Sequence, residues 1–550
     1  ETNAQLRFEP GMTLTVIALE ELRLTASNLE LAGTKLASLT VAGDLGGNPA
    51  ILFGDLDISL DLAGFAREPF ALGKTRLSLP TSVSWTREQL SANLRAAGSL
   101  EIEELAFEDT IALDEALSAR IASASAAYSQ KTGGGFFFTH NLDLAVDAIG
   151  ANLTRADGDP LRVQGNIPNL HFRGTYTTGQ PYWGRAEIKD ARVRLPDYGV
   201  TLEQLVAELA LDETGDAAVL HATARGPGGA GRIALQARHR FSDGRGDLDF
   251  ELNPLTFAPG ALQPGALAPA LAALRAVTGT ARADARLNWA PGRLEGDGHL
   301  VLEEFSFDSD DAKVEGLDLE LSLDRLFPPG SPPGQRLTVR RVDPGVPVEN
   351  LTIRYQLQPG PPPRLVIQEG EFEWSGGRFF VQDLVLDPKS ERHNATLQVE
   401  DLDLAELFAV LNIDGLQGSG RISGALPFTI EDEAVTIRNA QLDAQEPGVI
   451  RYRSEQAEQV LAGGGESTEL MLRALENFHY DQLSLGVEKS ADGNLRVKTT
   501  LMGKNPDLLE GHPFRFNINL ETDAGKLLAA LSQLYSLSDR VLRRAGIFAR

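Results

Sequence analysis

The stretch FGDLDISLDLAG, residues 53–64, alternates without a slip: Leu56, Ile58, Leu60 and Leu62 fall on one side of an extended chain, and Asp55, Asp57, Ser59 and Asp61 on the other. Period two is the mark of a half-buried strand. The same alternation returns about every ten to fifteen residues, between Gly, Asn, Asp and Pro turns. It carries Leu142, Leu144 and Val146 in LDLAVDA, Leu248, Phe250 and Leu252 in GDLDFEL, and Leu317, Leu319, Leu321 and Leu323 in GLDLELSLDRL. Further along it carries Leu351 and Ile353, Leu384 and Leu386, Leu483 and Leu485, and finally Phe514, Phe516, Ile518 and Leu520 in PFRFNINLE. More than twenty strands are expected, about the number a mostly-β, antiparallel-rich fold of this length needs. They share a pattern but no fixed motif, which sets them apart from short-period solenoids.

Helical spacing is confined to a few places. DLDLAELFAVLNIDG has Leu404, Leu407, Phe408 and Leu411 at three-to-four spacing, with Asp401 or Asp403 placed to cap it. STELMLRALENF puts Met471, Leu475 and Phe478 on one stripe, and the segment after Asp523 aligns Leu527, Leu531 and Leu534. TLEQLVAELALDE (201–213) is ambiguous: Thr201 and Gln204 resemble a capping box, yet Leu205, Ala207, Leu209 and Leu211 alternate, and it is read as strand. Pro- and Gly-rich passages at 253–274, 326–335 and 358–364 are a connector leading into a short helix and two exposed turns.

Twenty strands of about 20 Å at about 4.8 Å spacing make a sheet on the order of 100 Å long, with about 2,000 Å² of apolar surface on one side. Soluble monomers rarely expose more than a few hundred contiguous Å². Either the strands form sandwiches that cover one another, or one sheet curls around a lined groove. Periodicity does not choose between them.

Charge and composition exclude several functions. A formal net charge of −26 argues against nucleic acid and against a broad basic surface for anionic lipid. The chain has no Cys, which removes disulfides, thiolate metal sites and thiol catalysis. The histidines, His140, His171, His221, His239, His299, His393, His479 and His512, lack the close pairing of zinc sites. KTGGGFFF has its Lys ahead of the glycines, the reverse of a phosphate loop. The acidic clusters at 308–315 and 430–435 miss the offsets of calcium loops. No enzyme chemistry, metal or cofactor is expected. No run of eighteen apolar residues occurs. The opening ETNAQLRFEP, without initiator Met or signal peptide, reads as a fragment or processed form.

Residues 402–452 contain a short helix, then Gly415, Gly418, Gly420 and Gly424, LPF at Leu426–Phe428, Ala440, Leu442 and Ala444, and PGVIRY at Pro447–Tyr452. This stretch resembles the YdbH-type proteins of Gram-negative bacteria, in the AsmA-like superfamily that includes TamB and YhdP. LRALENFHYDQLSLGVE and GKNPDLLEGHPFRFNINLE resemble the same family's closing segment, and LAPALAALRAVTGTARADARLNWAPG its middle region. The resemblance implies a long sheet curled into an open apolar groove, a β-taco. It further implies a periplasmic protein, anchored in the inner membrane by an N-terminal helix absent from this sequence, that moves phospholipids toward the outer membrane. Implied partners are phospholipids, a small outer-membrane lipoprotein (YnbE-like) that adds a strand at the chain end, and a periplasmic YdbL-like protein.

On this reading residues 1–252 form the first part of the groove, 253–278 a connector, 279–400 its continuation, and 401–550 a family-specific region with helices and closing strands. The alternating aliphatics named above are the groove-lining candidates. Phe514, Phe516, Ile518 and Leu520 are also the candidates for the edge that receives a partner strand. Phe136–Phe138 and Tyr182–Trp183 either line the groove or form a buried aromatic corner. Arg540, Arg543, Arg544 and Arg550 are read as solvated charge. The alternative reading is a non-enzymatic structural or assembly scaffold of the cell envelope, built as a sandwich array.

Overall fold

The structure is a computed structural model. It describes residues 3–523 apart from segments 10–12, 32–33, 68–69, 108–110, 132–134, 155–159, 227–228, 344–346, 412–414, 432–433 and 454–465 and positions 198, 311, 361 and 493. Among the described residues there are thirty-five strands and three short α-helices, so the mostly-β expectation holds. The ladders are antiparallel. The chain forms two units, one of Glu1–Leu255, Gly265–Ala272 and Ala283–Gly296, the other of Thr256–Pro264, Ala273–Arg282 and Asp297–Arg550.

Alternation outweighs intrinsic propensity throughout. The segment TLEQLVAELALDE is rich in strong helix formers, yet Val200–Leu211 is a strand, because its apolar residues repeat at two and pair with a sheet on both sides. In the second unit the strand Lys313–Leu323 pairs directly with Gln335–Asp343, so the Pro-rich 326–335 passage is an excursion from one continuous ladder.

The alternation breaks at a recurring signature: an apolar residue, two other residues, then an apolar residue. Leu19–Leu22, Ile188–Ala191, Leu202–Leu205, Leu302–Phe305, Val348–Leu351, Val399–Leu402 and Ile437–Ala440 all have it. In each, the second inner residue has positive φ: Glu21, Asp190, Gln204, Glu304, Asn350, Asp401 and Asn439 lie between 50° and 57°, except Glu304 at 48°. A register shift falls at each of these positions. They are β-bulges. One extra residue is absorbed, the strand bends, and the next apolar side chain returns to the face it would otherwise have left.

A left-handed non-Gly residue costs about 1 kcal/mol, and neighbouring strands offset it. The Glu304 amide donates to Asp318 Oδ1 (2.7 Å), the Glu21 amide to Asp44 Oδ1 (2.9 Å), and the Asp401 amide to Ser423 Oγ (3.0 Å). The residue following the bulge is buried in nearly every case, as Leu22, Ala191, Phe305, Leu351, Leu402 and Ala440 are; Leu205 is half-buried. In the second unit a line of burial crosses the strands through Phe305, Val339, Leu351, Phe372, Phe379, Val399 and Leu442.

The helices are α1 (Pro264–Leu267), α2 (Leu404–Leu411) and α3 (Glu466–Leu475). Asp403 is the residue that caps α2, its Oδ1 accepting from the amides of Ala405 (2.7 Å) and Glu406 (3.2 Å). Phe478 does not continue the α3 stripe. It opens the strand Phe478–Lys489 and is fully buried, because the helix stops at Leu475 and Phe478 pairs with Ile450. The aligned leucines at 527–534 and the C-terminal arginines lie outside the described residues. The glycines of the 402–452 region have a packing reason. Tyr480, 1% exposed, lies across Gly420 and Gly448, where a Cβ would come within 2.0 and 2.3 Å of its hydroxyl, and that hydroxyl donates to the Ser419 carbonyl at 2.9 Å.

Removing the acceptor at a bulge tests whether these hydrogen bonds hold it. Asp318→Ala is expected to lower unfolding stability by about 1 kcal/mol, and Asp318→Asn, which keeps an acceptor oxygen, to lose clearly less. Denaturant midpoints of the two variants measure the difference.

Candidate functional site

Directly opposed residues of antiparallel strands project to the same side of the sheet. In the first unit one chain of such partners is Ile121–Leu144–Leu170–Ile188–Ala207–Ala222–Leu235–Phe250. Beside it runs Ala124–Leu142–Phe172–Ala186–Leu209–Leu220–Ala237–Leu248. A third row, Ala26–Leu39–Leu60–Leu77–Leu100–Ala119–Val146–Ile167, crosses the earlier strands. Not one member of these rows is polar.

The reverse face is the opposite. Ser123–Asp143–His171–Glu187–Glu208–His221–Gln236–Asp249 is a row of direct partners interleaved with the apolar ones. Its members pair with one another and with flanking arginines. His171 Nδ1 meets Asp143 Oδ1 at 2.7 Å, Arg185 bridges to Glu208, and Arg173 lies 3.7 Å from Glu187. The Ser123 hydroxyl, and after it His171, holds the Asp143 carboxyl below its ordinary value. These ion pairs are exposed, and pairs of that kind contribute about 0–1 kcal/mol each. Their role is to keep this face wet.

The second unit repeats the arrangement. Leu302–Leu319–Leu337–Ile353–Gly370–Val381–Leu397–Leu426 is one apolar row. Leu442–Leu485–Thr499–Ile518 and Leu483–Leu501–Phe516 extend the pattern to the last strand. Behind them, Glu315–Arg341–Glu349–Glu373–Arg378–Glu400 is wholly charged. Burial on the apolar side pushes the Tyr355 phenol up to about 12. Tyr355 stands in the row with Ile367 and Leu384.

The groove-lining candidates fall into two groups. Leu56, Val146, Leu351, Leu384 and Leu483 are buried. Ile58, Leu60, Leu62, Leu142, Leu144, Leu248, Phe250, Leu252, Leu317, Leu319, Leu321, Leu323, Ile353, Leu386, Leu485, Phe514, Phe516 and Ile518 are half-buried. The Leu520 side chain lies outside the described residues. Half-burial is an intermediate state for a large aliphatic. Part of each such side chain remains accessible to solvent.

The strand Pro513–Asp523 has one ladder partner among the described residues, Asn494–Lys504, and so presents an edge. Two features escaped sequence reasoning. One is the set of bulges, for which the doubled inner residue is the usable signal. The other is an aromatic concentration at one set of strand ends, where Phe136, Phe137 and Trp183 are exposed and not a buried corner. There the Tyr182 hydroxyl and His140 Nε2 hydrogen-bond at 2.7 Å, and burial lowers the His140 pKa.

The folded state thus disfavours protonated His140, so its contribution to stability is full above the ordinary value of 6.5 and declines as pH falls from there through the lowered folded value. Denaturant midpoints are expected to drop on acidification through this range, and His140→Phe to show a shallower drop than the parent protein.

A family model described as YdbH-like, intermembrane phospholipid transport protein YdbH, matches residues 1–546. No curated protein and no solved structure matches the chain.

Proposed function

Because the chain belongs to the YdbH-like family of intermembrane phospholipid transport proteins, we propose that its apolar sheet face is the track on which phospholipid moves. The observation that carries this is the succession of apolar cross-strand rows, many of their members only half-buried beside buried ones such as Ile121 and Val146, backed by interleaved polar rows. Bulges that bend the strands curl the apolar side inward into an open groove, and acyl chains complete the burial that the protein leaves unfinished.

Uniformity is what suits the face to movement. Each methylene taken out of water is worth about 0.8 kcal/mol, so chains are held strongly overall. Yet one strand offers nearly what its neighbour offers. A lipid that shifts by one strand spacing, about 4.8 Å, leaves one aliphatic row segment and meets another of the same chemistry. Transport of this kind makes and breaks no covalent bond, and the role assigned is non-enzymatic.

The same reading puts the protein in the periplasm, anchored at the inner membrane and reaching the outer one, where it supports outer-membrane lipid homeostasis. The edge strand Pro513–Asp523 then receives a strand from a small outer-membrane lipoprotein, main-chain hydrogen bonds supplying affinity and Phe514, Phe516 and Ile518 one apolar side. A periplasmic YdbL-like protein is the second proposed partner.

Polar substitution within a row tests the track. Leu319 and Leu321 are half-buried, so the double substitution Leu319→Asp with Leu321→Asp is expected to leave a folded protein with native circular dichroism. Phospholipid transfer between donor and acceptor vesicles is expected to be abolished. Undiminished transfer by the folded double variant would show that lipid does not travel along this row.

A further inference from the structure

The two ends of the first unit's strands differ in chemistry. At one end, Trp85–Leu90–Tyr128–Phe138–Tyr176 is a row of direct cross-strand partners on the apolar face. Trp85 and Tyr128 remain 40% and 38% exposed. The next position inward holds Tyr182, laid over Gly174, where a Cβ would come within 2.0 Å of its hydroxyl. Further along the same end, Trp289 lies over Gly246, and its Nε1 donates to His239 Nδ1 at 3.0 Å. Each of these rings except Phe138 combines an apolar body with an N–H or O–H. That combination suits a boundary between hydrocarbon and water.

Inward from this row the face passes His140, which is bonded to Tyr182, and is then aliphatic through Leu142 and Leu144 to buried Val146. At the opposite strand ends Val163, Leu202 and Ile233 are aliphatic, and the earlier strands place half-buried Phe65 and buried Thr75 there, with no tryptophan or tyrosine among the described residues. There the end of α1 and the segment after it approach, Leu267 3.8 Å from a Cβ built on Gly226 and Pro269 2.7 Å from one on Gly199.

We propose that phospholipid on the first unit's face is bound with fixed polarity, its glycerophosphate along the Trp85–Tyr128–Tyr176 row and its chain ends directed inward over Leu144 and Leu170. This rests on the face being a phospholipid track and adds which side the head group takes. The dimensions fit. Six residues of strand, from Phe138 to Leu144, span about 20 Å, and one leaflet of bilayer hydrocarbon is about 15 Å thick. Head groups then ride at one rim, where amphipathic rings meet water, and the proline-covered side stays closed to them.

A protein keeping only Trp85 (Trp183→Phe, Trp289→Phe, Trp374→Phe) tests this by fluorescence, loaded with phosphatidylethanolamine bearing a nitroxide on either the head group or the chain end. The head-group label is expected to quench Trp85 several-fold more than the chain-end label. A second reporter, Val163→Trp with Trp85→Phe added, is expected to be quenched weakly by the head-group label. Equal quenching of Trp85 by the two labels, or head-group quenching at position 163 as strong as at Trp85, overturns the polarity while leaving a lipid-binding face. Failure of the parent protein to take up either lipid overturns the track itself, and the polarity with it.

Discussion

The fold depends on keeping two kinds of side chain apart over some thirty strands. An extended chain places alternate residues on opposite sides, and a slip of one residue exchanges the two faces completely. In the first unit the register holds Leu144, Leu170, Ile188 and Leu235 on one side, and Asp143, His171, Glu187 and Gln236 on the other. Strands of up to nineteen residues cannot stay flat and keep to one register, since the sheet twists. The bulges resolve this conflict. Each one bends a strand and takes up an extra residue, and the apolar sequence after it is already written for the changed parity.

Stability follows from that partition. The ion pairs of the polar face are exposed and contribute little individually. What holds each unit together is ladder hydrogen bonding and lateral contact within the apolar rows, densest along the buried lines through Ile121 and Val146 in the first unit and Phe372, Phe379 and Val399 in the second. Phe372 and Phe379 stack at 5.1 Å with ring planes 7° apart, an offset contact worth about 1 kcal/mol beyond its area. Away from those lines the aliphatics are only partly covered, and on the proposed function an acyl chain completes their burial. The far side carries the acidic and basic residues.

Much of this was legible in the sequence because strand alternation is local. LDLAVDA or GLDLELSLDRL declares its faces within seven to eleven residues, and the ambiguous 201–213 segment resolved correctly once period two was weighed above propensity. Relations across the sheet were not legible. Phe138 meets Tyr128 and Tyr176, and Trp289 meets His239. Nothing in a single chain segment states that these residues share a strand end, so the aromatic rim stayed hidden while its members were visible one by one. Phe478 misled for a related reason: its three-residue spacing from Leu475 is equally that of a helix continuing and of a strand beginning, and only its partner Ile450 decides. The bulges lie between these cases. Their signature is local, as in Leu302–Phe305 and Val399–Leu402, but it reads as imperfect alternation until the positive φ of Glu304 and Asp401 gives it a meaning.

The central claim is that hydrocarbon occupies the apolar face and not the polar one. Photo-crosslinking from adjacent positions of one strand addresses it most directly, because neighbours in sequence face opposite ways. Benzoylphenylalanine introduced in place of Leu142 or Leu144, in cells whose phospholipids carry radioactive phosphate, is expected to yield labelled protein on irradiation. The same group in place of Asp143 or Asn141 is expected to yield none. Labelling that follows the polar positions, or that does not distinguish the two sides, would contradict the account.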